Sequence, residues 1–291
     1  MLWEPNTGKL QRTLDSHHSS VCCLVFCRSG QLLASGSTDW TIKLWNPNTG
    51  DLLRDLCHSA FIALNDISIE DNPSLPTSMV HNLSLSISSN GLLLASCVSM
   101  IVNIWSISTG ELLRDLDIVD DLFRYRSTIT FSPTDLILVS CTMETVNIWD
   151  PTVLIQHQET NLNESHQVKS MAFSPDGHIL ASGYTDGTLH VWDHVENKLL
   201  WTKLGHSDGI NFIRFSPDGN LLASCAEDQS INLWDSVTGD EQCTILGHTS
   251  AVIRIDFLPD GKMLASGSVD GSIKVWDLKN RHYATKLGRP R

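Results

Sequence analysis

Long hydrophobic runs are missing from this sequence. Apolar residues make up 41% of the 291 residues, as in a globular protein, but no apolar stretch approaches the roughly 18 residues that suggest a membrane span. The first residues, Met1-Leu2-Trp3-Glu4, lack the basic region and apolar stretch of a signal peptide. We therefore expect no membrane insertion and an intracellular location, in the cytoplasm or alternatively in the nucleus.

Positive charge is also scarce. The sequence has 20 Lys and Arg against 33 Asp and Glu, a formal net charge of −13. Binding to phosphate backbones needs clustered Lys and Arg, so we expect no nucleic-acid partner. The eight cysteines are scattered without a paired framework, which favours a reducing compartment.

Sequence motifs for ligand chemistry are missing too. There is no Gly-rich phosphate loop followed by Lys-Ser or Lys-Thr, and no His-Glu-x-x-His. Cys22, Cys23 and Cys27 lie on an apolar strand without the second pair of ligands that a zinc site needs, so we interpret them as packed thiols. The sequence predicts neither a cofactor nor a metal site.

What the sequence does contain is a repeat marked by tryptophan. The steps between successive copies are 42, 60, 44, 43, 42 and 42 residues, from Trp3 through Trp45, Trp105, Trp149, Trp192 and Trp234 to Trp276. A fixed period near 42 indicates one supersecondary unit copied along the chain.

Each period is composed of short β-type runs separated by tight turns. Ser174-Pro-Asp-Gly177, Ser216-Pro-Asp-Gly219 and Leu258-Pro-Asp-Gly261 place Pro where φ near −65° is needed and Gly where φ becomes positive. Four strands of about 5–6 residues with short turns account for a period near 42. The sequence thus predicts an all-β fold.

The repeats resemble the WD40 family over nearly the whole chain. The resemblance is carried by Gly-His and Trp-Asp pairs, namely Gly205-His206, Gly247-His248, Trp149-Asp150, Trp192-Asp193, Trp234-Asp235 and Trp276-Asp277. It implies a β-propeller, in which four-stranded blades surround a central channel.

We predict one propeller domain over residues 1–291, with six complete blades and an N-terminal half-blade. The ring is then either six-bladed or an incomplete seven-bladed one, and we expect the chain to be a piece of a longer array. The predicted boundaries are 1–16 for the partial blade, 17–56, 79–116, 126–160, 166–204, 206–246 and 248–287 for the blades, 57–78 for an inserted loop and 288–291 for a tail.

Three repeats contain a Ser, His and Asp that look like a hydrolase triad. The sets are His17, Ser35, Asp39 with Trp45; His206, Ser224, Asp228 with Trp234; and His248, Ser266, Asp270 with Trp276. An enzyme needs one nucleophile rather than three copies at a structural period. The WD40 resemblance implies instead a buried hydrogen-bonded tetrad within each blade, so we predict no enzymatic activity.

The other repeats depart from this set. Met100 and Met143 stand where the Asp belongs in the second and third complete repeats, whereas His166 is displaced by two residues in the fourth. The accompanying Ser and Trp are Ser96 with Trp105, Ser140 with Trp149, and Ser182 with Trp192.

Departures from the repeat are the candidate partner-binding positions. The 60-residue step contains an acidic insertion with Asp66, Glu70 and Asp71, which is either a mobile loop or a binding projection. Trp40 follows the turn Asp, where other copies have Gly or Gln; it is either a contact anchor or a half-buried turn residue. Arg214 and Arg254 lie on first strands, where ion pairing or solvation competes with partner contact.

From these features we predict that the protein functions as a non-catalytic interaction scaffold or adaptor. The resemblance implies protein or peptide partners on the loop faces of a propeller, within a larger complex. The alternative is a sensor or recruitment array from a larger NACHT-type signalling protein, and a propeller enzyme or a nucleic-acid binder is less favoured.

Overall fold

The structure, a computed structural model, describes residues 2–3, 9–57, 83–98, 101–117, 128–141, 146–150, 155–159, 167–196, 198–279 and 282–287. All regular elements in these ranges are β-strands. Within the same ranges, no helix has the length and apolar character needed to cross a membrane.

The strands form six four-stranded sheets and one two-stranded sheet in the described residues, as the repeats predict. The two-stranded sheet comprises β1 (Leu2–Trp3) and β2 (Leu10–Arg12). The four-stranded sheets are β3 (Val21–Phe26), β4 (Leu33–Ser37), β5 (Thr41–Trp45), β6 (Leu52–Cys57); β7 (Ser84–Ile87), β8 (Leu93–Val98), β9 (Ile101–Ser106), β10 (Leu112–Asp117); β11 (Thr128–Phe131), β12 (Leu138–Cys141), β13 (Val146–Asp150), β14 (Ile155–Glu159); β15 (Val168–Phe173), β16 (Ile179–Tyr184), β17 (Thr188–Asp193), β18 (Lys198–Leu204); β19 (Ile210–Phe215), β20 (Leu221–Ala226), β21 (Ile231–Asp235), β22 (Glu241–Ile245); and β23 (Val252–Phe257), β24 (Met263–Ser268), β25 (Ile273–Asp277), β26 (His282–Leu287).

The chain divides into two compact units. The first comprises Met1–Phe131, Asp135–Thr142 and Ile148–Gln156, and the second comprises Ser132–Thr134, Met143–Asn147 and His157–Arg291. In both units each sheet is a meander, in which strands adjacent in sequence are adjacent in the sheet. Where the structure describes the connections inside a sheet, they are short hairpins, which explains the density of turn residues in the sequence.

The Pro-Asp-Gly turns connect the first strand of a sheet to the second. In the turn after β19, Gly219 has φ of +76°, a conformation that glycine adopts without steric cost. The Ser216 hydroxyl donates to the Asp218 carboxylate at 2.6 Å and accepts the Leu221 amide at 2.9 Å. The turn thus satisfies its own polar groups before the second strand begins.

The hydrophobic cores lie between successive sheets. In the second unit, Ile210, Ile213 and Phe215 of β19 pack against the preceding sheet, which contributes Ala181 and Leu189. The junction between the fifth and sixth four-stranded sheets repeats this arrangement, with Val252, Ile255 and Phe257 of β23 against Ala223, Cys225, Ile231 and Leu233. At these two junctions the first strand is therefore buried by the second and third strands of the sheet before it.

One position of the second strand holds only Gly or Cys in all six repeats. The residues are Gly36, Cys97, Cys141, Gly183, Cys225 and Gly267. A Cβ added at Gly183 would lie 2.7 Å from Cγ2 of Ile210 on the next first strand. The close approach of the next strand therefore requires a small residue at Gly183.

Gly183→Ala should lower the free energy of unfolding by about 1–3 kcal/mol, because the new methyl group overpacks the stiff Ile210 side chain. Gly267→Ala is the matched control, since no heavy atom lies within 4 Å of its added Cβ in the described residues. It should leave stability unchanged or raise it by about 0.5 kcal/mol. Urea unfolding followed by tryptophan fluorescence measures both, and equal losses would contradict the packing argument.

Candidate functional site

The structure brings His17, Ser35, Asp39 and Trp45 together in the first four-stranded sheet. Trp45 Nε1 donates to Ser35 Oγ at 2.8 Å. His17 Nε2 lies 2.7 Å from the same oxygen, and His17 Nδ1 lies 3.1 Å from Asp39 Oδ2. One side-chain network thus links the third strand, the second strand, the segment before the first strand and the turn between strands two and three.

The fifth and sixth four-stranded sheets repeat the same geometry. The Trp-to-Ser, Ser-to-His and His-to-Asp distances are 2.9, 2.7 and 3.1 Å for Trp234, Ser224, His206 and Asp228. They are 2.8, 2.7 and 2.9 Å for Trp276, Ser266, His248 and Asp270. The three sets therefore share one arrangement, which we call the tetrad.

Donor and acceptor chemistry gives the tetrad a direction. An indole N–H can only donate, so the serine oxygen accepts from tryptophan and its own O–H is available to histidine Nε2. Histidine Nδ1 then donates to the aspartate, which is an acceptor when ionised. This assignment makes the imidazole neutral and fixes its tautomer.

Each tetrad has a fifth member that the sequence reasoning missed. The hydroxyl groups of Thr41, Ser230 and Ser272 each donate to the tetrad aspartate at 2.6 Å. The signal was visible as a Ser or Thr two residues after each tetrad Asp. It was missed because that hydroxyl looks like an ordinary turn residue until its partner is known.

The hydrogen bonds control the ionisation of the tetrad carboxylates. Burial alone would raise the pKa of Asp39, but hydrogen bonds from Thr41, the His18 amide and His17 outweigh burial and hold this pKa well below its ordinary value. The same balance lowers the pKa of Asp270 and Asp228. Burial lowers the pKa of His206 despite the nearby Asp228 carboxylate. The tetrads therefore favour ionised aspartates, and the second of the three favours a neutral His206.

The tetrad serines are inaccessible to a substrate. Ser35, Ser224 and Ser266 are 4, 0 and 2% exposed, and each oxygen already contacts both an indole N–H and an imidazole. A nucleophile must reach its electrophile, so this geometry suits structural support. Among the described residues, no group of three or more His, Cys, Asp or Glu is arranged to hold a metal ion.

The remaining four-stranded sheets keep parts of the tetrad. Trp105 and Trp149 donate to Ser96 and Ser140 at 3.1 and 2.7 Å. Met100, Met143 and His166 lie outside the described residues. In the fourth sheet the Ser182 hydroxyl donates to the buried Tyr184 hydroxyl at 3.3 Å, a contact that the sequence reasoning did not include.

Trp40 occupies the tight turn between β4 and β5. Its φ is +65°, and the equivalent Gly187, Gln229 and Gly271 also have positive φ. The side chain is partly buried and packs against the apolar cluster that contains Ile42. The left-handed conformation costs a non-glycine residue about 1–2 kcal/mol, so Trp40 makes the backbone of this turn less stable than glycine would.

The two arginine candidates have partners within the second unit. Arg214 Nε lies 3.1 Å from Asp256 Oδ1, and both side chains are more than half exposed. The Arg254 guanidinium lies 4.8 Å from the centroid of the Phe212 ring. Both arginines remain exposed, whereas Asp66, Glu70 and Asp71 lie outside the described residues.

Comparison with protein families gives one family match. The model described as "WD domain, G-beta repeat" matches residues 8–46, 157–193, 197–235 and 239–277. These segments make up just over half of the 291 residues. Every complete tetrad has its serine, aspartate and tryptophan inside them.

Curated relatives match the chain over part of their length. The chain is 26% identical over 197 residues to Protein ROOT INITIATION DEFECTIVE 3 of Arabidopsis thaliana, covering 66% of the chain and 43% of the relative. It is 30% identical over 187 residues to Small ribosomal subunit protein RACK1 of Drosophila melanogaster, covering 61% of the chain and 52% of the relative. The chain thus spans about half of the length of these relatives.

A solved structure shares the fold. The β-propeller domain of Cps50 (Swd1) from Myceliophteria thermophila superposes with a TM-score of 0.76 over 95% of this chain and 89% of that chain, at 19% identity. At this identity the likeness shows the fold alone. The predicted all-β propeller class is thereby confirmed.

Ser224→Ala should lower the free energy of unfolding by about 1–3 kcal/mol, because it leaves both Trp234 Nε1 and His206 Nε2 without their buried partner. Ser207→Ala is the matched control, since Ser207 is exposed and contributes only its backbone amide to Asp228. Urea unfolding compares the two variants. A loss at Ser207 equal to that at Ser224 would contradict the tetrad's role.

Acid should destabilise the protein in two stages. Because His206 has a lowered pKa in the fold, the unfolded chain binds its proton first and stability falls as the pH drops below about 6.5. Because the tetrad aspartates also have lowered pKa values, stability falls again as the pH drops below about 4. Urea unfolding at a series of pH values measures both stages.

Asp270→Asn should reduce the loss of stability below about pH 4, and it should lower the free energy of unfolding at neutral pH by about 1–3 kcal/mol. The exposed Asp240→Asn is its control and should preserve the acid profile. An unchanged profile in Asp270→Asn would contradict the assignment.

Proposed function

The chain belongs to the WD40 repeat family, and on that premise we propose that it is a non-catalytic scaffold that binds protein or peptide partners through the loop faces of its propeller. The observation that carries the proposal is the use of its Ser, His and Asp residues in buried structural networks. These residues support a rigid framework, and the exposed turns are left to make contacts.

The turn at Trp40 is the contact point that we propose first. Backbone strain at a non-glycine residue is a reason to look for function, and three equivalent turns hold Gly or Gln. Aromatic side chains with limited conformational freedom are frequent anchors of protein interfaces. The partly buried side chain of Trp40 is supported on one side by the apolar cluster formed between the first and second four-stranded sheets, which would reduce the entropy lost on binding.

Two other surfaces belong to the same proposal. Arg214 and Arg254 present guanidinium groups from first strands, and Arg214 would have to exchange or share Asp256 on binding. The acidic insertion with Asp66, Glu70 and Asp71 would add a negatively charged projection. We propose that partners are met in the cytoplasm or the nucleus.

One relative is by its name a protein of the small ribosomal subunit, and hence a component of an assembly. This favours a role as one component of a larger complex. None of the relatives named above is described as a NACHT-type protein, so they do not support that alternative.

Trp40→Gly tests the proposal sharply. It relieves the left-handed backbone strain but removes the aromatic side chain, so partner recovery should fall severalfold while the melting temperature changes little. Gln229→Gly changes the same backbone position in another sheet and is the matched control. Quantitative proximity labelling in the source cell, with wild type and both variants, measures partner recovery.

Deletion of residues 59–78 tests the insertion in the same experiment. Loss of a distinct subset of partners is expected. If Trp40→Gly and the deletion both recover the complete wild-type partner set, the proposed contact surfaces are wrong.

A further inference from the structure

One residue on the fourth strand of the fourth four-stranded sheet reaches across to the next sheet. This residue, Trp201 of β18, pairs with Val191 of β17 and is 8% exposed. Its indole Nε1 donates to Ser236 O of the fifth four-stranded sheet at 3.1 Å, and its ring centroid lies 6.5 Å from that of Trp234. Trp201 thus fills the space between β18 and the segment around the third strand of the next sheet.

Arginines occupy the equivalent position in the first unit. Arg12 of β2 and Arg54 of β6 stand at the same place in the pairing of a fourth strand with a third. Arg12 Nη1 donates to Thr49 O at 2.8 Å, and Arg54 Nη2 donates to Ser108 O at 2.7 Å. At these three junctions, therefore, a large side chain with an N–H donor connects a fourth strand to a backbone carbonyl of the next sheet.

Cys243 is the counterpart of Trp201 at the junction between the fifth and sixth four-stranded sheets. It pairs with Leu233 of β21 as Trp201 pairs with Val191 of β17. A thiol is much shorter than an indole, and a cavity of about 190 Å³ lies beside it. Its lining includes Leu221, Leu233, Cys243, Ile245, Trp276 and Leu278.

The cavity repeats the surroundings of Trp201. Trp276 stands 42 residues after Trp234, and Leu278 stands 42 residues after Ser236. Apolar cavities of about 150 Å³ bind benzene in other proteins, so this cavity is large enough for a planar ring. Aliphatic walls offer water few hydrogen bonds, and an aromatic ring that enters removes apolar surface from water on both sides.

We propose that this cavity is a binding site for an indole ring, which lies against Trp276 and donates its N–H to the Leu278 carbonyl. The pose is that of Trp201 in the preceding junction. Two sources share this chemistry, a free indole compound and the tryptophan side chain of a peptide. The apolar walls supply affinity, and the single hydrogen bond orients the ring.

Alkylation of Cys243 measures occupancy of the cavity in the unaltered chain. Treatment with iodoacetamide, followed by peptide mass spectrometry, gives the alkylation rate of each cysteine separately. Saturating indole should slow alkylation of Cys243 severalfold, because a bound ring covers the thiol. The exposed Cys57 is the internal control and should react at an unchanged rate. Equal rates at Cys243 with and without indole would overturn the proposal.

Cys243→Phe fills the cavity with a ring from the chain itself. Isothermal titration calorimetry should show saturable binding of indole to the wild-type chain and no measurable binding to this variant. Thr244→Phe is the matched control, because Thr244 is exposed on the same strand, and it should bind indole like wild type. Equal binding to Cys243→Phe and Thr244→Phe would place the ligand elsewhere and refute the site.

Trp201→Cys tests the equivalence of the two positions by a gain of binding. Removal of the indole should open a second cavity, so this variant should bind two indole molecules where wild type binds one. Its melting temperature should be lower than that of wild type and should rise more on addition of indole, because two bound ligands stabilise the folded chain. A stoichiometry that stays at one would contradict the equivalence.

Ligand analogues test the hydrogen bond and identify the source of the ring. Indene has the shape of indole without the N–H, so it should bind more weakly, and equal binding would refute the assigned hydrogen bond. Tighter binding of N-acetyltryptophanamide than of indole assigns a peptide as the source, and weaker binding assigns a free indole compound. Trp40→Gly should bind indole like wild type, so this proposal and the one for Trp40 can fail separately.

Discussion

Each sheet with a complete tetrad depends on the hydrogen bonds made by the buried serine hydroxyl of its second strand. At Ser224 it accepts from Trp234 and faces His206, which in turn reaches Asp228. In a low-dielectric interior such a chain is strong when every member is satisfied and costly when one is removed. The aspartate also accepts backbone amides of its own turn and of the segment after the histidine. One chain of side chains thereby fixes a strand, a turn and an incoming loop at once.

Constant spacing made the tetrads predictable. The interval from His to Ser, Asp and Trp is the same in the first, fifth and sixth four-stranded sheets, so repetition separates these residues from chance neighbours. The contacts of Thr41, Ser230 and Ser272 were not predicted, because a hydroxyl two residues after an aspartate satisfies many kinds of turn. The hydrogen bond between Ser182 and Tyr184 was not predicted either, because the spacing of residues in the sequence does not show which side chain lies within hydrogen-bond distance of the serine.

Burial of the first strands could not be predicted from their own sequences. The pattern of Val21, Leu24 and Phe26 matches that of Val252, Ile255 and Phe257, yet Leu24 is 65% exposed and Ile255 is 2% exposed. Alternation of apolar residues identifies which face of a strand is fit for burial. Whether that face is buried depends on the neighbouring sheet, which is a property of the assembly of repeats. The size limit at Gly183 has the same origin, because Ile210 of the following strand sets it.

The structural demands of the repeat also indicate where specificity can reside. Tetrad members, core aliphatic residues and the small second-strand residue are fixed by hydrogen bonds or close packing, so their variation is costly. The residue after the turn aspartate is constrained only in its backbone, since Trp40, Gly187, Gln229 and Gly271 all have positive φ. Glycine adopts this conformation at the lowest cost, and a tryptophan at this position does not stabilise the backbone of the turn. Its side chain gains some packing on the cluster below, but equivalent turns hold the same conformation without an aromatic ring. Turn geometry does not require the part of Trp40 that the fold leaves exposed, whereas the recognition role that we propose for Trp40 would use it.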